Sequence, residues 1–315
     1  MTHTIFIDGE SGTTGLDVLR RLEARADLEI IALGDRRREV EARREALNGA
    51  DAVILCLPDE AAKEAVAMID NPAARVIDAS TAYRVDPAWT YGFPEMASGQ
   101  AEKIAASKRA ANPGCYPTGF IGLVRPLVSA GIIPAGWPVT VNAVSGYSGG
   151  GRKMIEDYEA KGADAPSYLP YGLTLNHKHL PEMTLYSGLA REPIFQPSIG
   201  NFAQGMLGTV PLFTDLLARP AGAKDIHHCL ASAYEDSRFV EVAPFDSIER
   251  SAAIEPRALN GTNRMRLHVF ANEARGHVLL LALYDNLGKG ASGAAVQNLN
   301  LMIGAEENLG TSLAA

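Results

Sequence analysis

Ile5-Phe6-Ile7-Asp8-Gly9-Glu10-Ser11-Gly12-Thr13-Thr14-Gly15 reads as a short buried strand that runs into a glycine turn. A helical pattern follows and carries Leu16, Leu19, Leu22 and Ala26 on one side. Strand, glycine turn and helix in this order set backbone N–H groups at a helix start, where missing side chains let a pyrophosphate approach. The glycine spacing is one residue longer in its first gap than the usual dinucleotide fingerprint, and a lone glycine pattern also suits any tight turn. Its place after the first strand favours a dinucleotide, with Gly9, Ser11, Gly12, Thr13, Thr14 and Gly15 as the contacts. Strand-like runs follow at Glu29 to Leu33, Ala52 to Leu57 and Arg75 to Asp78, spaced by helical segments. That rhythm predicts an α/β fold: a Rossmann-type doubly wound parallel sheet.

The end of the second strand reads Gly34-Asp35-Arg36-Arg37-Arg38. An acid there would hold a ribose 2′-hydroxyl, whereas arginines suit a 2′-phosphate. The run favours NADP(H), with Arg36 and Arg37 as the expected contacts. Arg43 and Arg44, on the next helix, read in part as solvated surface.

Past residue 114 the pattern turns strand-rich, at Pro138 to Val144, Leu207 to Phe213, Met265 to Ala271 and His277 to Tyr284. A second α+β domain is expected, with its boundary close to Cys115. That cysteine sits in Asn112-Pro113-Gly114-Cys115-Tyr116-Pro117-Thr118, a turn leading into an apolar helix. Helix-start N–H groups and the helix dipole favour thiolate, the nucleophilic form. A thiol nucleophile needs a base. Asn176-His177-Lys178-His179-Leu180-Pro181-Glu182 offers two histidines, and Glu182 stands where it can orient His179. Alternating histidines also suit zinc, but no third ligand at convincing spacing accompanies them, so no metal is assigned. Cys56 and Cys229 read as structural. Arg84, beyond the fourth strand, is a candidate for an anionic substrate group, and an ordinary ion pair is its alternative. Asp285-Asn286-Leu287-Gly288-Lys289-Gly290-Ala291-Ser292-Gly293 is a further glycine turn before a helix.

The chain has 315 residues, 47% of them hydrophobic, which is enough for two domains. Its 29 basic and 37 acidic residues give a net charge of −8. An acidic balance argues against nucleic acid or an anionic membrane as partner. With no disulfide framework, no apolar run long enough to span a bilayer and a strand starting at residue 5, a cytoplasmic protein is expected.

Taken in order, the cysteine turn, Tyr91-Gly92-Phe93-Pro94-Glu95, the Ser145-Gly146 loop, the histidine run and the Asp285-to-Gly293 segment resemble the N-acetyl-γ-glutamyl-phosphate reductases of arginine biosynthesis. The modest length resembles the shorter, type 2 subfamily. Aspartate-semialdehyde dehydrogenase is more distantly similar. The resemblance implies NADPH-dependent reduction of N-acetyl-L-glutamyl 5-phosphate to the 5-semialdehyde, with release of phosphate, through a thioester on Cys115. It implies His179 as acid–base group with Glu182 behind it, and His177 on the substrate. It also implies Gly288, Lys289, Gly290 and Ala291 at the cofactor. Ser145, Gly146, Arg84 and Arg152 would meet the oxyanion, phosphate or α-carboxylate. Residues 1–114 with 287–315 would form the NADP-binding domain, and 115–286 a catalytic and oligomerisation domain, giving a homodimer or homotetramer. Another phosphorylating aldehyde dehydrogenase, or a non-catalytic NADP-binding sensor on the same fold, are the alternatives.

Overall fold

A computed structural model describes residues 2–217, 221–245 and 254–312. The chain divides into two compact units: Met1–Pro94 with Ser98–Gly114 and Ala291–Ala315, and Glu95–Ala97 with Cys115–Gly290. Residues 95–97 and 287–290 therefore group with the second unit.

In the first unit, β1 (His3–Asp8), β2 (Leu28–Ile31), β3 (Ala52–Leu55), β4 (Arg75–Asp78), β5 (Thr90–Tyr91) and β6 (Arg109–Ala111) form one sheet. Its order is β2-β1-β3-β4-β6-β5, and every neighbouring pair is parallel. Parallel strands need both faces covered, which is why Ala52-Val53-Ile54-Leu55 is apolar at each position and wholly buried. Ile5, Ile7, Ile54 and Ile77 point to one face, where α1 (Thr13–Leu22) and the C-terminal helix (Gly293–Ile303) bring Val18, Leu22, Val296 and Leu299. Phe6, Val53, Leu55 and Val76 point to the other and meet Leu47 of α2 (Val40–Gly49) and Ala62 and Ala65 of α3 (Asp59–Ala67). Each fully buried aliphatic side chain contributes roughly 1.5–3 kcal/mol. The helix α4 (Gln100–Ala106) adds Ile104 to the first face.

One sequence expectation is corrected here. The inner side of α1 is Gly15, Val18 and Leu22 together with Asp17 and Arg21, while Leu16 is 40% exposed. Arg21 Nε donates to Asp17 at 2.8 Å and Nη1 to the Thr311 carbonyl at 2.6 Å. Leu19 and Leu22 of the expected stripe do pack on the core, but a buried ion pair carries no apolar signal, so hydrophobic spacing misplaces Leu16 and overlooks Asp17 and Arg21.

The second unit holds a mixed sheet of β7 (Thr140–Gly146), β8 (Tyr168–Pro170), β9 (Ile194–Gly200), β10 (Met206–Phe213), β11 (Val240–Val242), β12 (Met265–Asn272) and β13 (His277–Tyr284). The order is β11-β12-β13-β10-β7-β9-β8. Antiparallel pairs dominate, with β7–β9 and β11–β12 parallel. Its helices are α5 (Cys115–Ser129), α6 (Gly151–Lys161), α7 (Leu180–Ser187) and α8 (Ala223–Ala233). Helices α5 and α8 pack on the sheet, and α7 packs on α5. Strand β9, which carries Pro197 within it, is not among the strands expected from the sequence.

Candidate active site

The glycine turn of the first unit is closed by contacts that tolerate no side chain. Gly9 has φ +89°, and a Cβ there would stand 2.4 Å from the Cys56 carbonyl oxygen. A Cβ on Gly15 would stand 2.3 Å from the Gly9 carbonyl oxygen. The Gly12 N–H donates to that same carbonyl at 3.0 Å. Gly12 is also the N-cap of α1 and supplies no side-chain hydrogen bond, so the helix start keeps N–H donors for an anion. Beside it lies a cleft of about 240 Å³ lined by Phe6 to Ser11, Leu33, Arg37, Arg38 and Leu57. Tight glycines, an uncapped helix start and two cleft arginines fit a dinucleotide with a 2′-phosphate.

The arginine run is shared differently from the sequence expectation. Arg37 and Arg38 line the cleft, whereas Arg36 Nε pairs with Glu39 at 3.0 Å on the surface. Arg38 is thus a cleft residue that spacing did not single out. Arg44 meets Asp70 at the surface, but Arg43 is not solvated: its Nε donates to Asp8 at 2.7 Å, with both side chains largely buried. Behind the turn, the Cys56 thiol is pushed up to about 12 by burial, then by the charges of Asp78 and Asp8, which makes it inert as a nucleophile.

In the second unit, Cys115 is the first residue of α5, where the helix dipole favours its thiolate. Tyr284 Oη donates to the Cys115 carbonyl at 2.7 Å and accepts from the Gly119 N–H at 3.2 Å. A Cβ on Gly119 would strike the Tyr284 ring at 2.6 Å, so this helix position requires glycine. A Cβ on Gly290 would lie 3.1 Å from the Cys115 Cβ, so the closing glycine segment rests on the thiol-bearing residue. Tyr116, next in sequence, sends its hydroxyl to the Ser198 carbonyl at 2.9 Å and packs its ring 6.4 Å from His177 and 6.1 Å from His179. Burial, then Tyr171 and Cys115, hold the Tyr116 phenol far above its ordinary range. Burial also pushes Tyr171 up to about 12, opposed by its hydrogen bond with Tyr116 and reinforced by Cys115. Tyr284 is raised by burial and then by Cys115. All three phenols are thus held neutral, chiefly by burial. Tyr171 and Tyr284 lack any motif that would reveal them in a sequence.

His179 is the N-cap residue of α7 and only 6% exposed, and Glu182, in the first turn, is 1% exposed. His177 is more open. Its Nδ1 accepts the His179 backbone N–H at 3.2 Å, which leaves the proton of the neutral ring on Nε2. The two imidazoles stand 4.6 Å apart, centre to centre. Among the described residues no cluster of three His, Cys, Asp or Glu side chains is assembled for a metal.

Other expected residues have found other partners. The Lys289 ammonium, 1% exposed, donates to both oxygens of Glu95 at 2.7 Å, and lies 5.3 Å from the centre of the Phe239 ring. Gly288 has no room for a side chain, since a Cβ would overlap the Thr262 carbonyl. The Ala291 carbonyl accepts Asn112 Nδ2 at 3.0 Å. Arg84, in the first unit, donates to the Asn112 and Ala79 carbonyls at 3.0 and 3.1 Å and so braces the segment before the cysteine turn. Arg152 is exposed and pairs with Glu156 at 3.2 Å. Ser145 is buried and donates to the Gly146 carbonyl at 3.1 Å. Asn286 fastens this loop, donating to Ser148 Oγ and accepting from the Gly205 N–H, each at 2.9 Å. Gly151 opens α6 at φ +77°, which accounts for glycine at that place in the Gly149-Gly150-Gly151 run.

Residues 4–105 match the family described as semialdehyde dehydrogenase, NAD binding domain, and residues 115–286 the semialdehyde dehydrogenase dimerisation domain. An N-acetyl-gamma-glutamyl-phosphate reductase of Chelativorans sp. is 60% identical over 96% of this chain and 99% of its own. One from Mesorhizobium japonicum is 57% identical, covering 96% and 100%. N-acetyl-gamma-glutamyl-phosphate reductase 2 of Pseudomonas putida is 51% identical, covering 96% and 98%. In fold, the chain is similar to aspartate semialdehyde dehydrogenase II of Vibrio cholerae, with TM-score 0.72 and 15% identity over 96% and 98% of the two chains. It is also similar to the Candida albicans aspartate semialdehyde dehydrogenase solved with NADP, with TM-score 0.63 and 14% identity over 98% and 100%.

Proposed function

Since this chain belongs to the N-acetyl-gamma-glutamyl-phosphate reductase family, we infer that it reduces N-acetyl-L-glutamyl 5-phosphate to N-acetyl-L-glutamate 5-semialdehyde with NADPH, releasing phosphate. The observation that carries this reading is identity of 51–60% over 96% of the chain with proteins of that name. The Cys115 thiolate attacks the acyl carbon, the C–O bond to phosphate breaks, and a thioester is left on the cysteine. When bound, NADPH supplies the hydride for that thioester. The hemithioacetal then gives up its hydroxyl proton, the C–S bond breaks, and aldehyde leaves with the thiolate restored.

A histidine must take and return the protons of these steps. We assign that part to His177, because it is the more open ring; taking a proton at Nδ1 requires its bond from the His179 N–H to open. His179, buried at the start of α7 with Glu182, supports the loop that carries it. Backbone donors at the start of α5 are proposed for the oxyanion. The glycine turn from Gly9 to Gly15, with Arg37 and Arg38, is proposed to hold the cofactor.

The chain carries a dimerisation domain, and a homodimer or homotetramer is proposed. Its docking face is read from the open side of the mixed sheet, where Phe213 and Leu279 are 51% and 38% exposed. No helix among the described residues is long and apolar enough to cross a membrane. The proposed compartment is the cytoplasm, and activity confined to a membrane pellet after cell fractionation would count against it.

The deciding assay runs backward, following NADPH formation from N-acetylglutamate 5-semialdehyde with and without phosphate. Phosphate-dependent turnover in the native protein, reduced at least about a thousandfold in Cys115→Ser, is the expected result. Turnover with aspartate semialdehyde instead would move the substrate. Silence with every aldehyde, despite NADPH binding, would make the protein a sensor.

A further inference from the structure

The proposed reaction makes no use of the Asp8–Arg43 ion pair of the first unit. Asp8, the last residue of β1, lines the cleft beside the glycine turn. Arg43 of α2 donates to its carboxylate from Nε at 2.7 Å and to the Ala61 carbonyl from Nη2 at 3.4 Å. The two side chains are 12% and 17% exposed. A carboxylate in this place opposes the binding of phosphates; Glu10 also lines the cleft, while Asp78, outside its lining, stands with Asp8 near Cys56. Asp78 ends β4, and the two charges together contribute to the raised Cys56 thiol. Asp78 is satisfied by Ser80, whose hydroxyl donates at 2.6 Å, and feels the charge of Arg84. The cation set against Asp8 is Arg43.

We propose that Arg43 is a positioning residue for the dinucleotide, acting through Asp8: it cancels the carboxylate's charge and holds it toward α2, so the cleft accepts a polyanion. The inference rests on the cofactor occupying this cleft. It differs from direct recognition, because Arg37 and Arg38 line the cleft themselves whereas Arg43 is turned to Asp8. It also gives the opposite sign to a structural ion pair when the acid alone is neutralised.

The test is calorimetric titration of the full-length protein with NADPH and with NADH, at low and high salt. Arg43→Met is expected to weaken NADPH about tenfold at low salt, the scale of one close charge repulsion in a partly screened cleft. NADH, with one phosphate fewer, is expected to lose less, and the loss is expected to shrink at high salt. Adding Asp8→Asn is expected to restore affinity to within about twofold, and Asp8→Asn alone to tighten NADPH by freeing a cation beside it. Equal losses for both nucleotides, or no rescue in the double variant, would overturn the proposal. Should Arg43→Met fold poorly, Asp8→Asn decides alone, because weaker binding would refute charge compensation. A wild-type protein that binds no NADPH would sink the cofactor reading and this inference with it. Normal wild-type binding with an unrescued Arg43→Met sinks only the inference.

Discussion

His177 and His179 have one residue between them but differ in access to solvent, and that difference sets what each can do. A ring that exchanges protons with substrate must be reachable, whereas one sealed at a helix start is worth more to the fold. His177→Asn is therefore expected to lower kcat/KM by about 10²–10⁴-fold with little change in Tm, and to flatten the acidic limb of the pH–rate profile. His179→Asn is expected to lower Tm first. Steady-state kinetics beside thermal melts separate the two, and an inert His177→Asn with a dead but stable His179→Asn would exchange the roles. Gly9 poses a simpler question. At φ +89°, with the Cys56 carbonyl where a Cβ would go, Gly9→Ala is expected to cost at least about 1–3 kcal/mol and to abolish NADPH binding. Urea unfolding and titration read both effects, and near-native values for both would remove Gly9 from the proposed cofactor site.

Strand β12 and the segment after β13 show how an element's interior chemistry sets its response to conditions. His268 of β12 is 6% exposed, and burial, then Arg266, lowers its pKa, with Glu241 opposing. Below the unfolded-state value near 6.5 the unfolded chain binds a proton that the native ring resists, so stability falls as pH drops through that region. His268→Gln is expected to make the 5–7 stretch of the stability–pH curve flatter, measured by urea midpoints. An unchanged slope would show that His268 is not the group responsible. After β13, Lys289 faces Glu95 with almost no solvent access. Lys289→Met, which removes the cation from that buried carboxylate, is expected to cost about 3–5 kcal/mol by urea unfolding. A cost below about 1 kcal/mol would mean that other groups carry Glu95.

On the scale of the whole molecule, oligomerisation is the most direct test of the open sheet face. Phe213→Asp places a charge among Pro211, Phe270 and Leu279 and is expected to shift the mass from light scattering toward the monomer. An unchanged mass would put the interface elsewhere. Much of the fold was legible in the sequence, because buried parallel strands announce themselves as continuous apolar runs, as in Ala52 to Leu55. The turn at Gly9 was legible because only glycine meets its backbone and contacts. The buried Asp17–Arg21 pair, strand β9 and the partners of Arg43, Arg84 and Lys289 were not. Each depends on which distant group a charged or irregular residue meets, and spacing along the chain carries no such information. A last consequence lies in how the chain threads its two units. Apart from the excursion at residues 95–97, it leaves the first after Gly114 and returns at Ala291. Cys115 and Gly290, the ends of the long insert, nearly touch, and Asn112 reaches the Ala291 carbonyl on the other side of the break. The long insert of the second unit thus begins and ends at one place, so its two ends can be joined or moved together without stretching the chain. Cys115, the proposed nucleophile, is the first residue of the long insert.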